Sequence, residues 1–358
     1  MKTKKSVFEI ISETRFIHIL LSILLGFAIG AIFLAIMGIS VGQAYGKLLS
    51  SVTGIKGVSY VIVYAVPYIV AGLSVAFSFR TGVFNIGAEG QFVMGSMAAA
   101  VVGILCGGLP KIVLIPLCFI AAMVAGVVWG VVVGFLKTRW GINEVLSMIM
   151  FNWIAFYLSN FIAGIPAIKN EGTAEATQTI SDNARTLLNA DFIKNAGLCP
   201  TANWGIIVAI LATILVWFII DKTTLGYQLK AVGFNKNAAD YGGINVNRNM
   251  LTALAISGAL AGLAGALQLM GMGGRISIFS SQEGFGFAGI FYGGLTYGGS
   301  KLNLVGAPTQ LINVIIGTIV FFISISIIFS YLKNVDKRKE IQRANENPSF
   351  QKGGLDKQ

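Results

Sequence analysis

Charged side chains are scarce in this sequence of 358 residues: Lys, Arg, Asp and Glu make up 11% of it, whereas 55% of the residues are hydrophobic. A soluble domain cannot bury that much apolar surface, so the composition excludes an ordinary soluble protein and predicts a polytopic membrane protein. The formal net charge is +11. In a membrane protein this excess is typical of cytoplasmic loops, so we expect membrane lipids around the chain and no nucleic acid as a partner.

The residues that carry most enzyme chemistry are also scarce. Because His18 is the single histidine, a Ser–His–Asp arrangement and a histidine-built metal site are excluded. The three cysteines, Cys106, Cys118 and Cys199, form no CxxC pair and indicate neither a disulfide framework nor a metal site. No GxxxxGK[ST] loop for nucleotide phosphates occurs. We therefore expect that the chain is not an enzyme, binds no cofactor or metal itself, and relies on another chain for any use of ATP.

Long apolar runs, in contrast, are abundant. A membrane-spanning helix needs about 20 apolar residues, and suitable stretches lie near 16–39, 58–79, 82–105, 112–136, 143–164, 204–221, 250–271 and 310–332. Residues 276–298 are apolar but rich in glycine, and we expect a re-entrant or half-helical segment there. The sequence thus predicts an all-α polytopic bundle of about eight spans. Its transmembrane domain covers 16–332, between an N-terminal segment, 1–15, and a charged tail, 333–358.

The distribution of Lys and Arg predicts the orientation of the spans. With the N-terminus inside and the spans alternating, 18 of the 26 Lys and Arg residues fall on the inside. Both termini, 1–15 and 333–358, are therefore predicted to be cytoplasmic, which requires an even number of crossings. Residues 165–203 then form an external loop that has the size and polarity to meet a soluble partner.

The internal loop, 222–249, has the pattern of a folded segment. Tyr227, Lys230 and Ala231 share one helical face. The stretch "NKNAADYGG" (235–243) predicts a short amphipathic helix with a glycine end.

Glycines four residues apart recur in the predicted spans, where they allow helix backbones to approach closely. They are Gly26/Gly30, Gly126/Gly130/Gly134, and Gly258/Gly262 followed by Gly265. We interpret them as helix-packing residues.

Polar residues interrupt the third and fifth predicted spans. Asn85, Glu89 and Gln91 lie near the start of "TGVFNIGAEGQFVMGSMAAA" (81–100), where glycines at 87 and 90 permit a broken helix. If this stretch is helical, Asn85 and Glu89 share a face. Two compatible interpretations remain: the side chains line a solute path, or they hydrogen-bond the backbone groups that a break sets free.

The fifth span begins with "GINEVLSMIMFNWIAF" (141–156). Asn143 and Glu144 open a helix, and an acidic first turn complements the helix dipole, so a structural role competes with a path role. Asn152, more than two turns deeper, is expected to bond a neighbouring helix.

These motifs resemble those of a known family. "FRTGVFNIGAEGQF" (79–92) and "GINEVLSMIMFNWIA" (141–155) are similar to two signatures of the permeases of ATP-binding cassette importers for nucleosides. "LGYQLKAVGFNKNAADYGGINV" (225–246) and "SGALAGLAGALQLMG" (257–271) are similar to segments of the wider group, which includes permeases for branched-chain amino acids and simple sugars. The resemblance covers about residues 16–332.

The resemblance implies a multi-pass subunit in a bacterial plasma membrane that moves nucleosides inward by alternating access. Its implied partners are an ATPase subunit that binds ATP and Mg, a second permease subunit, and an extracellular lipoprotein receptor of the basic membrane protein A type. The internal loop would couple the permease to the ATPase, and the external loop would meet the receptor. The implied coupling residues are Tyr227, Lys230, Asn235, Ala238, Ala239, Tyr241 and Gly242, and the implied path residues are Asn85, Glu89, Gln91, Asn143, Glu144 and Asn152.

The sequence departs from the family pattern near Ile290. Relatives carry an acidic residue and a further apolar hairpin after the equivalent of "GFGF" (284–287), whereas Ala288 stands at the acidic position here and "AGI" leads almost directly to Phe291. The family is expected to have about ten spans, so the loss of one hairpin keeps the number of crossings even. The departure puts in doubt whether this part of the pore is complete.

Three alternatives stay open from the sequence. The same kind of importer could carry simple sugars or branched-chain amino acids. Intramembrane acids such as Glu89 and Glu144 would also fit an ion-coupled secondary transporter. The missing hairpin would fit a membrane scaffold without transport activity.

Overall fold

The computed structural model describes residues 15–172, 176–276, 289–308 and 310–322, and gives only the backbone for 15–18 and 289–293. The terminal segments 1–14 and 323–358 lie outside the described residues, as do residues 277–288, which form part of the predicted re-entrant segment 276–298 and precede the predicted loss of a hairpin near Ile290.

The described residues form helices and loops without a named β-strand, which confirms the predicted all-α fold. The helices are α1 (Arg15–Ile36), α2 (Val41–Val52), α3 (Gly54–Arg80), α4 (Ala88–Leu105), α5 (Lys111–Trp140), α6 (Glu144–Ala163), α7 (Ala190–Asn195), α8 (Gly205–Lys222), α9 (Thr224–Phe234), α10 (Lys236–Tyr241), α11 (Val246–Gln268), α12 (Gly289–Gly299) and α13 (Leu311–Phe322).

Seven of these helices are long and apolar enough to cross a membrane: α1, α3, α4, α5, α6, α8 and α11. The shorter apolar α13 lies within the eighth predicted span. The chain is therefore a polytopic membrane protein, as the composition predicted. The sequence missed α2, a short helix with many polar and small residues whose buried Ala44 and Leu48 lie four residues apart.

The chain divides into two units. The first comprises residues up to Leu48 together with those from Gly299 onward. In it α1 packs on α13, because a side chain at Gly26 would collide with Ile319 and one at Gly30 with Ile315. The Tyr45 hydroxyl donates to the Phe27 carbonyl at 2.5 Å, which fixes α2 to α1.

The second unit, Leu49–Gly298, is built around α11, which packs on α3, α4 and α5. Glycines bring these backbones into contact: a Cβ at Gly126 would lie 2.0 Å from the Gly258 carbonyl oxygen, and one at Gly95 would lie 2.3 Å from the Cα of Gly262. The glycine spacing therefore marks helix packing, as predicted.

Residues 165–203, which we call the cap, fold onto one end of this second unit. Two isolated β-bridges, Lys169 with Thr177 and Leu187 with Asn203, brace the cap internally. Its bonds to the bundle run from Ile180 N–H to the Gly274 carbonyl, from the Ser181 hydroxyl to the Gly107 carbonyl, and from Cys199 N–H to the Ser59 hydroxyl. The described part of the cap is thus a fixed surface and not a free loop.

The predicted internal loop lies at the opposite end of the same unit. There α9 approaches the end of α3, since a Cβ at Gly82 would lie 3.2 Å from the Cα of Gly233. The two long polar loops therefore occupy opposite ends, since one span, α8, separates them. Which end faces the cytoplasm stays a prediction.

Candidate functional site

The motif at 81–100 contains a real break in the helical structure. Helix α3 ends at Arg80 and α4 begins only at Ala88, and residues 81–87 form turns and irregular backbone between them. The condition under which Asn85 and Glu89 would share a helical face is therefore not met, because Asn85 precedes the helix. Gly82 has a φ of +66°, a left-handed conformation that favours glycine, and it turns the chain out of α3.

Asn85 belongs to a buried cluster of polar side chains. Its Nδ2 donates to Gln91 Oε1 at 2.8 Å and to Ser257 Oγ at 2.7 Å, and Gln91 Nε2 donates back to Asn85 Oδ1 at 3.4 Å. Ser257 and Ser74 bond reciprocally: each hydroxyl donates to the carbonyl of the other residue, at 2.8 and 2.7 Å. We call Ser74, Asn85, Gln91 and Ser257 the amide–serine cluster.

This cluster satisfies its own hydrogen-bonding groups. Asn85 is 2% exposed, Gln91 is 1% exposed, and both serines are fully buried. Both hydrogens of the Asn85 amide nitrogen have protein acceptors, so this amide has no donor left for a solute in this conformation. The cluster joins the break to α3 and α11, which fits the structural interpretation of Asn85 and Gln91. Their path role stays a prediction.

Asn152 of α6 stabilises the same break from the other side. Its Oδ1 accepts from Gly90 N–H at 2.9 Å, and its Nδ2 donates to the Ile86 carbonyl at 3.1 Å. The prediction that Asn152 bonds a neighbouring element is confirmed. Glu89 lies half-buried in the first turn of α4, where a carboxylate complements the helix dipole.

Asn143 and Glu144 stand apart from this group, at the start of α6. Asn143 is the N-cap, and its Oδ1 accepts from Val145 N–H at 2.9 Å. Glu144 in the first turn forms an ion pair with Lys137 of α5. The structure thus brings Asn85, Gln91 and Asn152 together around the break, and it places Asn143 and Glu144 at a helix end.

The segment predicted to couple to an ATPase is a compact helical hairpin, α9 and α10. Asn235 is the N-cap of α10 and accepts from Asn237 and Ala238 N–H groups at 3.0 and 3.1 Å. At the other end Ile244 N–H donates to the Ala239 carbonyl, and Gly243 N–H donates to the Asp240 carbonyl. These two bonds and the φ of +79° at Gly243 form a Schellman motif, which confirms the predicted glycine end.

A groove of about 480 Å³ runs between these two helices, and we call it the α9–α10 groove. Of the predicted coupling residues, it is lined by Tyr227, Asn235, Ala238, Ala239 and Gly242. Two large aromatic side chains near it are almost fully exposed, Phe234 at 89% and Tyr241 at 95%.

Besides the N-cap Asn235, two of the predicted coupling residues have side-chain contacts within the chain. Ala239 is buried and packs in the cluster that contains Val232 and Met250, so it anchors α10. Lys230 forms a 3.0 Å ion pair with Asp221 at the end of α8. The coupling role of all seven residues stays a prediction.

Sequence reasoning missed two kinds of residue. Ser74 is one of three serines in α3 and Ser257 is the single serine of α11, and nothing in their local sequence points to a shared partner. Three tyrosines of α3, Tyr60, Tyr64 and Tyr68, carry a visible signal because they are spaced by four residues and share a helix face.

Comparison with known proteins identifies the family. The family model described as "Branched-chain amino acid transport system / permease component" matches residues 57–349. This chain belongs to that permease family. Together with the seven apolar helices, the family places the permease in the plasma membrane as a multi-pass protein.

Individual relatives match nearly the full length of the permease. It is 37% identical to the guanosine ABC transporter permease protein NupP of Bacillus subtilis, over 89% of this chain and 96% of that protein. It is 30% identical to the nucleoside ABC transporter permease protein NupB of Lactococcus lactis, over 87% of this chain and 92% of that protein. It is 29% identical to the glucose ABC transporter permease protein TsgB13 of Haloferax volcanii, over 93% of each. No solved structure matches the permease.

Proposed function

We propose that the chain is the membrane-spanning permease subunit of an ATP-binding cassette importer that moves nucleosides into the cell by alternating access. The observation that carries the proposal is its likeness to the guanosine and nucleoside permeases along about nine tenths of the chain. The two sequence motifs at 79–92 and 141–155 point to the same branch. A ligand and ATP would each favour one conformation of the bundle, and their alternation would move the solute.

In this proposal the permease hydrolyses nothing itself, and a separate ATPase subunit binds ATP and Mg. The α9–α10 groove supports the proposal as the docking surface for that subunit. Phe234 and Tyr241 expose large aromatic surfaces beside small floor residues, and aromatic anchors around a concave site are typical of protein interfaces. The caps at Asn235 and Gly243 hold α10 rigidly, so a force applied to it reaches the bundle.

The docking proposal is tested by an Ala238→Arg variant. Ala238 is exposed in the groove, so a long charged side chain there would block a partner without disturbing the core. We expect copurification of the ATPase to fall by at least about tenfold, with normal membrane insertion. The matched control is Ala190→Arg, the same change at an exposed alanine of α7 in the cap. Equal copurification with the two variants would contradict the docking role.

The cap is the proposed contact surface for the lipoprotein receptor, and a second permease subunit would complete the transmembrane pore. The cap is suited to this role because its backbone is bonded to the ends of α4 and α11. A receptor bound there would sense the conformation of the bundle.

The transport proposal is tested by deleting the gene and measuring uptake of labelled nucleosides, glucose and leucine. We expect nucleoside uptake to be lost and the uptake of glucose and leucine to be unchanged. Loss of glucose uptake alone would favour the sugar alternative that the likeness to a glucose permease raises. Nucleoside uptake that persists without ATP and collapses with the ion gradient would favour a secondary transporter. Unchanged uptake of all three solutes, with no redundant system present, would favour a scaffold.

A further inference from the structure

A column of tyrosines runs along the inward side of α3. Tyr60, Tyr64 and Tyr68 are spaced by one helical turn, so the column extends about 12 Å along the helix. All three are half-buried, and they flank the buried residues Pro67 and Ala71.

The opposite side of α3 is apolar and more exposed, with Ile62 at 40% and Ile55 at 68%. Since lipid-facing residues are apolar, this side is suited to lipid, and the tyrosines therefore belong to the interior of the second unit.

Helix α12 covers this column. The Tyr297 ring stacks on Tyr60 with centroids 4.2 Å apart and an interplanar angle of 15°, and its centroid lies 5.8 Å from that of Tyr64. The Tyr68 hydroxyl lies 3.4 Å from the Thr296 hydroxyl. Helix α12 has the sequence GIFYGGLTYGG, and glycine at five of its 11 positions weakens a helix. The element that covers the tyrosines is therefore weakly held as a helix.

Two other regions of the described core of this unit leave no space for a solute. Between α4, α5 and α11 the glycine contacts bring backbone against backbone, which leaves no room for a solute. The amide–serine cluster bonds to itself and is buried. The tyrosine column combines aromatic faces, hydroxyl groups and partial exposure along the span α3.

We propose that the column formed by Tyr60, Tyr64 and Tyr68 is the surface on which the nucleobase stacks during its passage, in the position that Tyr297 takes in this conformation. Planar bases stack on aromatic side chains without regard to base identity, and the tyrosine hydroxyls can bond ribose hydroxyls. Ser74 of the amide–serine cluster lies about 9 Å further along α3 than Tyr68. This inference rests on the proposed function, because it assigns residues to the path of the same solute.

The test measures nucleoside uptake by cells that contain the complete importer. It compares variants in which a tyrosine ring is removed with variants in which the ring is kept. Tyr60→Leu and Tyr64→Leu are expected to lower the maximal rate of purine nucleoside uptake by about tenfold. The uptake of pyrimidine nucleosides, which stack less strongly, should fall by a smaller factor, so the ratio of purine to pyrimidine uptake falls. Tyr60→Phe and Tyr64→Phe keep the ring and are expected to retain most of the uptake. Tyr157→Leu is the matched control, since Tyr157 is a 64% exposed tyrosine of α6.

Membrane amounts of each variant are measured in parallel. If the leucine variants fail to insert, Tyr60→Trp serves instead, and its larger ring is expected to raise the purine-to-pyrimidine ratio. An unchanged ratio in every variant, or an equal loss in the Phe and Leu variants at normal membrane amounts, would overturn the inference. Absence of nucleoside uptake by the wild-type importer would instead overturn the proposed function, so the two failures are distinguishable.

Discussion

At the scale of single residues, the polar side chains around the break at 81–87 form hydrogen bonds within the fold. A buried amide without hydrogen-bond partners lowers the stability of the fold by about 1–3 kcal/mol. The break at 81–87 places Asn85 where it donates hydrogen bonds to Gln91 and Ser257. The sequence revealed Asn85 and Gln91 because amides are rare in apolar spans. It could not reveal Ser74 and Ser257, because their contacts join residues more than 170 positions apart.

The first residue-scale prediction concerns Gln91. A Gln91→Leu change removes both bonds between this side chain and Asn85 and leaves a buried amide unsatisfied. We expect a loss of about 1–3 kcal/mol in stability, measured as a lower thermal transition in detergent. Gln43→Leu, at an exposed glutamine of α2, is the matched control and should change the transition little. Equal transitions for the two variants would refute the role of the cluster.

The second residue-scale prediction concerns Asn143, for which the sequence left both a path role and a structural role at the helix start open. Its side chain caps α6, so Asn143→Ala is expected to cost about 1 kcal/mol, whereas Asn143→Asp keeps the cap and the stability. Because the side chain bonds backbone groups at a helix end, nucleoside uptake per inserted molecule should stay at the wild-type level in both variants. A selective loss of uptake in stable Asn143→Asp would show a path role instead.

At the scale of helices, glycine spacing was the most informative signal. Four-residue spacing predicted close packing, and α5 and α11 meet backbone to backbone at Gly126 and Gly258. The start of α4 was predicted less well, because an apolar run from residue 82 does not show where the chain leaves the helix. That position depends on Gly82, on the approach of Gly233, and on the bonds from Asn152, all of which are tertiary.

The helix-scale prediction compares two alanine substitutions of glycine. At Gly258 the new Cβ would lie 2.3 Å from the Gly126 carbonyl oxygen, a backbone atom that cannot move alone. Gly258→Ala should therefore destabilise the bundle by about 3 kcal/mol or more, seen as loss of the monodisperse peak in detergent. Gly46→Ala in α2 meets no atom within 4 Å and is expected to be neutral or stabilising by up to about 1 kcal/mol. Similar peaks from both variants would contradict the packing account.

At the scale of the whole molecule, the second unit has two unlike ends joined by one core. The cap is bonded to the bundle at one end, and the α9–α10 groove lies at the other. Hydropathy predicted that these two loops lie at opposite ends, because it depends on local sequence and places one span, α8, between them. The folding of the cap depends on bonds to Ser59, Gly107 and Gly274, which no local pattern encodes. A permease that couples a receptor at one end to an ATPase at the other requires such a continuous body.

The most direct measurement is solute uptake by proteoliposomes that contain the permease with its ATPase, second permease subunit and receptor. The account predicts that labelled guanosine accumulates only when ATP and the receptor are both supplied. Unlabelled nucleosides should compete with this uptake, and glucose and leucine should not. Guanosine uptake that needs no ATP and follows an imposed ion gradient, or ATP-driven uptake of glucose in place of guanosine, would contradict the account.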